Sequence, residues 1–388
     1  MKELKLKIDS LAVFSDIKNN KVIMALRRLL ESIHTDGMVK AYGDFVAALY
    51  PHTSDLTDYI STLLAEDDNF YVKDTAAGRE ISSEIREAVS NEINVLQDIA
   101  AFTPLQINSG GVCLPKWTTH SVDLHADFEK KMSNISRQGY GIFAKYTFFR
   151  LSEGEVIPVA YPDYQPMSQL FGYERERDLV MKNTQALLEG KGAANMLLYG
   201  DAGTGKSSTI KAVTAQLAGE GLRIIEVKKN QLFQIPRLTE QLSANPLKFI
   251  IFIDDLSFGG NDDNFSALKA TLEGSISGCG DNTVIYATSN RRHLIKERFG
   301  DRVGDELHLN DTMQETMSLA SRFGLTVTFQ KPDKEEYLDI VKSLAGEYGI
   351  QMEESKLFQL AEAHAIRKNG RSPRTAKQFI ELLKIGIL

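Results

Sequence analysis

Cysteine is scarce in this 388-residue chain: Cys113 and Cys279 are its only two, far apart and in no C-x-x-C pair. That excludes a disulfide framework and a thiolate zinc site, and it suits a reducing cytoplasm. Long apolar runs are missing too. No stretch approaches the ~20 residues of a membrane-spanning helix. Residues 1–9 (MKELKLKID) hold no signal-peptide core, so a cytoplasmic protein with no membrane contact is expected. Nor is there an excess of positive charge. The formal net charge is −7, so any nucleic-acid contact must come from a local patch. Internal repeats and low-complexity tracts are absent. At 43% hydrophobic and 25% charged residues the composition is that of a globular protein, and the length calls for two or three domains.

Against this plain background one segment stands out. Gly200-Asp201-Ala202-Gly203-Thr204-Gly205-Lys206-Ser207 fits the phosphate-loop pattern G-x-x-x-x-G-K-[ST], and the apolar run Met196–Tyr199 leads into it. A strand ending in a glycine-rich turn that opens a helix aims several backbone N–H groups, and the positive end of the helix dipole, at one point. Gly200, Gly203 and Gly205 let the main chain take positive φ and come close to a polyphosphate. Lys206 is placed to reach the β- and γ-phosphates, and Ser207 to hold Mg²⁺ through its hydroxyl. With Ser208 the loop forms the binding set for ATP or GTP.

The rest of the chain frames that loop. Up to about Pro104 it reads as helical: Val22, Ile23, Leu26, Leu29, Leu30 and Ile33 share one face, as do Val39, Tyr42, Phe45, Val46, Leu49 and Tyr50, and again Ile81, Ile85, Val89, Ile93 and Leu96. Residues 141–151 (GIFAKYTFFRL), turned back by 152–155 into Val156–Val159, predict a β-hairpin. Pro158, Pro162 and Pro166 mark a linker. From Leu170 strands alternate with helices, the sign of a parallel sheet. Strands are expected at 196–199, 222–228, 248–254, 283–289 and 325–330, and helices at 333–348, 353–368 and 373–385. The expected domains are a mainly helical region (1–135), a hairpin and linker (136–168), a nucleotide-binding α/β domain (169–331) and a helical lid (332–388).

Downstream motifs supply further chemistry. The apolar run 247–253 closes on Asp254 and Asp255, at the carboxyl end of a buried parallel strand where ligands bind. Asp254 is a candidate for holding Mg²⁺ through its water shell, Asp255 for orienting the attacking water. Asn290, ending the strand from Val284, can reach the γ-phosphate or that water, or cap a turn. Asn230 is a candidate restraint on Asp255. Arg322 can act as an arginine finger toward a neighbour's nucleotide, or complement a helix dipole. Pro373 suits the first turn of the last helix and fixes Arg374 near its start, where a cation implies an anionic partner.

In this order the pieces resemble an AAA+ ATPase over about residues 168–388: Walker A (200–207), Walker B (249–255), sensor 1 (Asn290), an arginine-finger box (321–323) and sensor 2 (Arg374). Phe171-Gly172-Tyr173-Glu174 is similar to the segment that packs adenine in that superfamily, with Tyr173 as the contact. IDDLSF (253–258), YATSNRRHLI (286–295), SRFGLTVTF (321–329) and GIFAKY (141–146) resemble an uncharacterised bacterial AAA+ family catalogued as a domain of unknown function. The resemblance implies a five-stranded parallel sheet with a helical lid, ATP rather than GTP, Mg²⁺ dependence and ring-like homo-oligomers. It places the catalytic duties on Lys206, Asp255, Asn290, Arg322 and Arg374. Most members carry Glu where this chain has Asp255. The shorter side chain withdraws its carboxylate by roughly 1.5 Å, which implies a slow ATPase, more switch than motor.

The target, protein or nucleic acid, is not written in these motifs. Residues 228–236 hold Phe233 but no following Gly, unlike threading rings, and the loop 257–264 is acidic. Arg291, Arg292, Lys296, Arg298 and Arg302 form the densest basic stretch, either a solvated surface or a nucleic-acid contact as in helicase loaders. His120, His125 and Asp123 share a segment without metal-site spacing, and Trp117 is read as core. Three classes stand: an ATPase switch acting on a macromolecule, an ATP-binding adaptor with little hydrolysis, and a small-molecule kinase. Sensor and finger arginines disfavour the last.

Overall fold

The structure is a computed structural model and describes residues 1–33, 35–107, 111–257, 263–272, 281–290, 321–368 and 370–388. The chain divides into two compact units. One comprises Met1–Lys145 with Ala244–Pro246, the other Tyr146–Ser243 with Leu247–Leu388.

The first unit is helical, as the periodicity predicts. Lys21–Ser32 buries Val22, Ile23, Leu26, Leu29 and Leu30, and Met38–Leu49 buries Tyr42, Phe45, Val46 and Leu49. Val39 and Tyr50 of the predicted face are instead exposed. Side-chain caps start several helices: Asn20, Asp55, Ser82 and Asp123 each accept a backbone N–H of the first turn. Buried Glu92 accepts from the N–H groups of Ala12, Val13 and Phe14, satisfying a chain turn that has no helical partner. Trp117 is core, as read from sequence; its indole donates to Phe102 O at 2.8 Å and its ring meets Phe45 edge-on. His120 and His125 part company. The former lies 3.3 Å from Asp55 Oδ1, the latter pairs with Asn94 at 2.9 Å. No helix among the described residues is long and apolar enough to cross a membrane.

The second unit is built on a sheet of β1 (Phe148–Ser152), β2 (Glu155–Pro158), β3 (Met196–Gly200), β4 (Leu222–Glu226), β5 (Lys248–Ile253), β6 (Thr283–Ser289) and β7 (Leu325–Phe329), in the order β2-β1-β4-β5-β6-β3-β7. It is parallel throughout except for β2, which runs back along β1. This is the α/β architecture with a parallel sheet that the resemblance implies, with one correction: among the described residues the sheet has seven strands, not five. The predicted hairpin is no separate feature. β1 pairs with β4, Phe148 opposite Ile224, and so covers an edge whose backbone groups would otherwise be unpaired. The buried neighbours Phe148 and Phe149 show a strand covered on both faces. Its start also shifts: Ile142–Lys145 is a helical turn, entered through Gly139 and Gly141 at φ 73° and 58°.

Three helices follow β7, Lys334–Glu347, Glu354–Arg367 and Pro373–Lys384, and pack around Tyr337, Ile340, Val341, Ala361, Phe379 and Ile380. Asp333 and Glu336 form a reciprocal capping box on the first; Ser372 caps the last, with Pro373 in its first turn. Within this core His364 is 5% exposed, and its Nε2 has no partner among the described residues. Burial lowers its pKa below the ordinary 6.5, helped by Lys368 and Arg367. The unfolded chain therefore takes up this proton at a higher pH than the folded one, and stability is expected to fall as pH drops below 6.5. Melting temperatures between about pH 7.5 and 5.5 check this: His364→Leu should flatten the slope relative to wild type.

Candidate active site

Because the strands are parallel, the carboxyl ends of β3, β5, β6 and β7 lie on one edge. The chain leaves β3 for β4 on one side while β7 lies on the other, so β3 ends at a topological switch point, where open α/β sheets bind ligands. A cleft of about 590 Å³ opens there. Its walls are the loop after β3, the acidic end of β5, the end of β6 and the lid residues Ile340, Leu344 and Arg374.

The loop is shaped by close approach. Gly200 sits at φ 144° opposite Phe329 of β7, and a Cβ there would overlap the Phe329 carbonyl. A Cβ on Gly203 would lie 3.1 Å from both Arg374 Cβ and Ser372 Oγ, so the lid helix rests directly on the loop; Arg374 N–H donates to Gly203 O at 3.2 Å. Helix Lys206–Leu217 starts after Gly205, at φ 95°, with no side-chain cap, leaving its first N–H groups for a ligand. Lys206 is buried. Its ammonium donates to Gly200 O at 2.8 Å, Asp201 O at 2.7 Å and Asn290 Oδ1 at 3.0 Å. Burial pushes its pKa down, opposed by Asp201, Asp254 and Asp255.

The acidic side is equally connected. Asp254 Oδ1 accepts from Ser207 Oγ and from Thr288 Oγ1, both at 2.6 Å. Asp255 has φ 50°, and its carboxylate accepts from Asn290 Nδ2 at 2.9 Å. Asn290 thus links the loop lysine to the second acid. A hydroxyl and a carboxylate sharing one locus beside the glycine-rich loop are hard oxygen donors of the kind that Mg²⁺ takes.

Lys206, Ser207, Asp254, Asp255, Asn290 and Arg374 therefore line one cleft, with Ala202–Gly205 and Ser208 around them. Gly200 and Asp201 are not among the lining residues: Gly200 pairs with Phe329, while the Asp201 N–H donates to Phe329 O and its carboxylate accepts from the Lys331 N–H. Tyr173 also lines it. Its ring lies 5.3 Å from that of Phe329 and its hydroxyl donates to Gln330 O; burial raises its pKa. Arg322 is not among the lining residues, standing just before β7. Asn230, in the turn Lys229–Gln234, does not line the cleft either; the restraint on Asp255 comes from Asn290. Arg291, Arg292, Lys296, Arg298 and Arg302, and most of the acidic loop at 258–262, lie outside the described residues. Sequence reasoning missed Arg177, Lys377 and Thr288 on the walls. Thr288 had a signal: two residues before Asn290 on a strand, it shares Asn290's face.

A family described as "Protein of unknown function (DUF815)" matches residues 143–386. Among solved structures, the chain is similar to the Thermotoga maritima RuvB Holliday junction branch migration motor, with 17% identity over 57% of this chain and 64% of that one, and a TM-score of 0.38. The chain thus spans less than two thirds of that motor's length. It is also similar to the FIGL-1 AAA domain in complex with ADP, with 16% identity over 58% of this chain and 75% of that one, and a TM-score of 0.38. No curated protein matches the sequence.

Proposed function

The chain belongs to the DUF815 family, and from that premise we propose that it is a Mg²⁺-dependent ATPase acting as an oligomeric switch on a macromolecular target in the cytoplasm. One observation carries the proposal. Five side chains from four distant stretches, Lys206, Asp254, Asp255, Asn290 and Arg374, meet in one cleft above a glycine cradle. Main-chain N–H groups and Lys206 bind the phosphates, and the leucine and isoleucine side chains of the lid flank the base beside Tyr173. Ser207 and Asp254 would hold Mg²⁺, which neutralises developing charge on the phosphates. Asp255 orients water, Asn290 holds that carboxylate, and Arg374 brings the lid's charge to the loop. Arg322, away from this chain's own cleft, serves a neighbouring subunit's nucleotide, which requires a homo-oligomer. The target is a protein or a nucleic acid; Phe233, 64% exposed past β4, is available to it.

Slow turnover is expected with Asp255 as the orienting carboxylate. Its left-handed backbone suits Asp or Asn better than Glu, whose longer side chain gains nothing there from local hydrogen bonding. Asp255→Asn keeps both shape and backbone preference, so its melting temperature should match wild type while single-turnover hydrolysis falls by about 100-fold. Equal turnover in the two proteins would remove Asp255 from the chemistry. The bond from Asn290 to Asp255 favours a second reading, an ATP-binding adaptor with little hydrolysis. In that case wild type and variant both bind ATP and neither turns it over.

A further inference from the structure

Thr288 has no task in the scheme above, yet it is 2% exposed at the end of β6 and makes three bonds to the acidic turn. Its hydroxyl donates to Asp254 Oδ1 at 2.6 Å and accepts from the Asp255 N–H at 2.9 Å. A hydroxyl carries one donor and two acceptor sites, so both bonds form at once. Its carbonyl accepts from Leu256 N–H at 2.7 Å. One residue thereby ties down Asp254, Asp255 and Leu256 in succession, across the step where Asp255 takes φ 50°. A strained turn of this kind persists only where its surroundings fix it. Asp254 Oδ1 is also the atom that Ser207 Oγ reaches at 2.6 Å.

We propose that Thr288 is a positioning residue for the two carboxylates. Its hydroxyl orients Asp254 toward the divalent cation and, through the Asp255 amide, sets the backbone from which Asp255 reaches water. The proposal rests on the ATPase assignment. Partners that orient metal-holding groups are commonly worth about 10- to 100-fold in metal affinity or activity. Valine fills nearly the same space without either bond. Serine keeps both.

The test compares wild type, Thr288→Val and Thr288→Ser in three measurements: affinity for a fluorescent ATP analogue without divalent cation, Mn²⁺ affinity of the complex with a non-hydrolysable ATP analogue by electron paramagnetic resonance, and kcat. In T288V the cation-free nucleotide affinity should stay within about 2-fold, while Mn²⁺ affinity and kcat each fall by about 10-fold or more. T288S should restore both. Unchanged Mn²⁺ affinity in T288V, or losses in T288S equal to those of T288V, would overturn the role of Thr288 alone. Should T288V fail to fold, Thr288→Cys replaces it, since a thiol is a weak donor and acceptor, with the same losses expected. A wild-type chain that binds no nucleotide ends the ATPase assignment and the role of Thr288 with it.

Discussion

Lys206→Ala is expected to weaken ATP binding by about 100-fold, roughly 3 kcal/mol for removing a charge-assisted hydrogen bond from a buried site, and to abolish hydrolysis. The ammonium has three donors, and all three are used, on Gly200 O, Asp201 O and Asn290 Oδ1. A phosphate must compete for at least one of them. The bond to Asn290 is the one to yield, because the two carbonyls belong to the loop that cradles the ligand. Fold stability should respond far less than binding. Removing the buried cation relieves a desolvation already visible in its lowered pKa, although two carbonyls lose a donor. Calorimetric titration with ATP, alongside melting curves without it, separates the two effects. Wild-type affinity in the variant would exclude Lys206 from phosphate binding.

The second large effect falls on the fold. Gly200→Ala places a methyl group against the Phe329 carbonyl at a φ of 144° that only glycine adopts readily. Backbone strain and overpacking together should remove on the order of 3 kcal/mol or more. For a unit of this size that lowers Tm by roughly 6–12 °C. Gly205 is the control. It too has positive φ, 95°, but a Cβ there meets nothing within 4 Å. Gly205→Ala should lose only the backbone term, about 1–2 kcal/mol, while still crowding a bound phosphate. Equal melting temperatures for the two variants would mean that packing against β7 does not hold the loop.

Much of this architecture was legible because buried parallel strands are written as unbroken apolar runs. Lys248–Ile253 and Thr283–Ser289 emerged almost at their predicted limits, as did the three lid helices, whose apolar residues repeat at helical spacing. The edge was not legible. Nothing in Phe148–Ser152 says which strand it will join, since edge pairing depends on backbone groups that every residue carries alike. The glycine-rich loop could be read because glycine at three positions and lysine at one leave few other uses. The connections around Asp255 could not. Its N–H donates to Thr288 and its carboxylate accepts from Asn290, both from the far end of another strand's stretch, and sequence spacing pointed as readily to Asn230. Arg322 belongs to a different case again, for its proposed partner is on another copy of the chain.

The measurement that bears most directly on the central claim is an equilibrium titration of the purified wild-type chain with ATP in the presence of Mg²⁺. Saturable one-site binding that Lys206→Ala removes is the result expected of a cleft that cradles a triphosphate. No binding, or binding indifferent to Lys206, would contradict it.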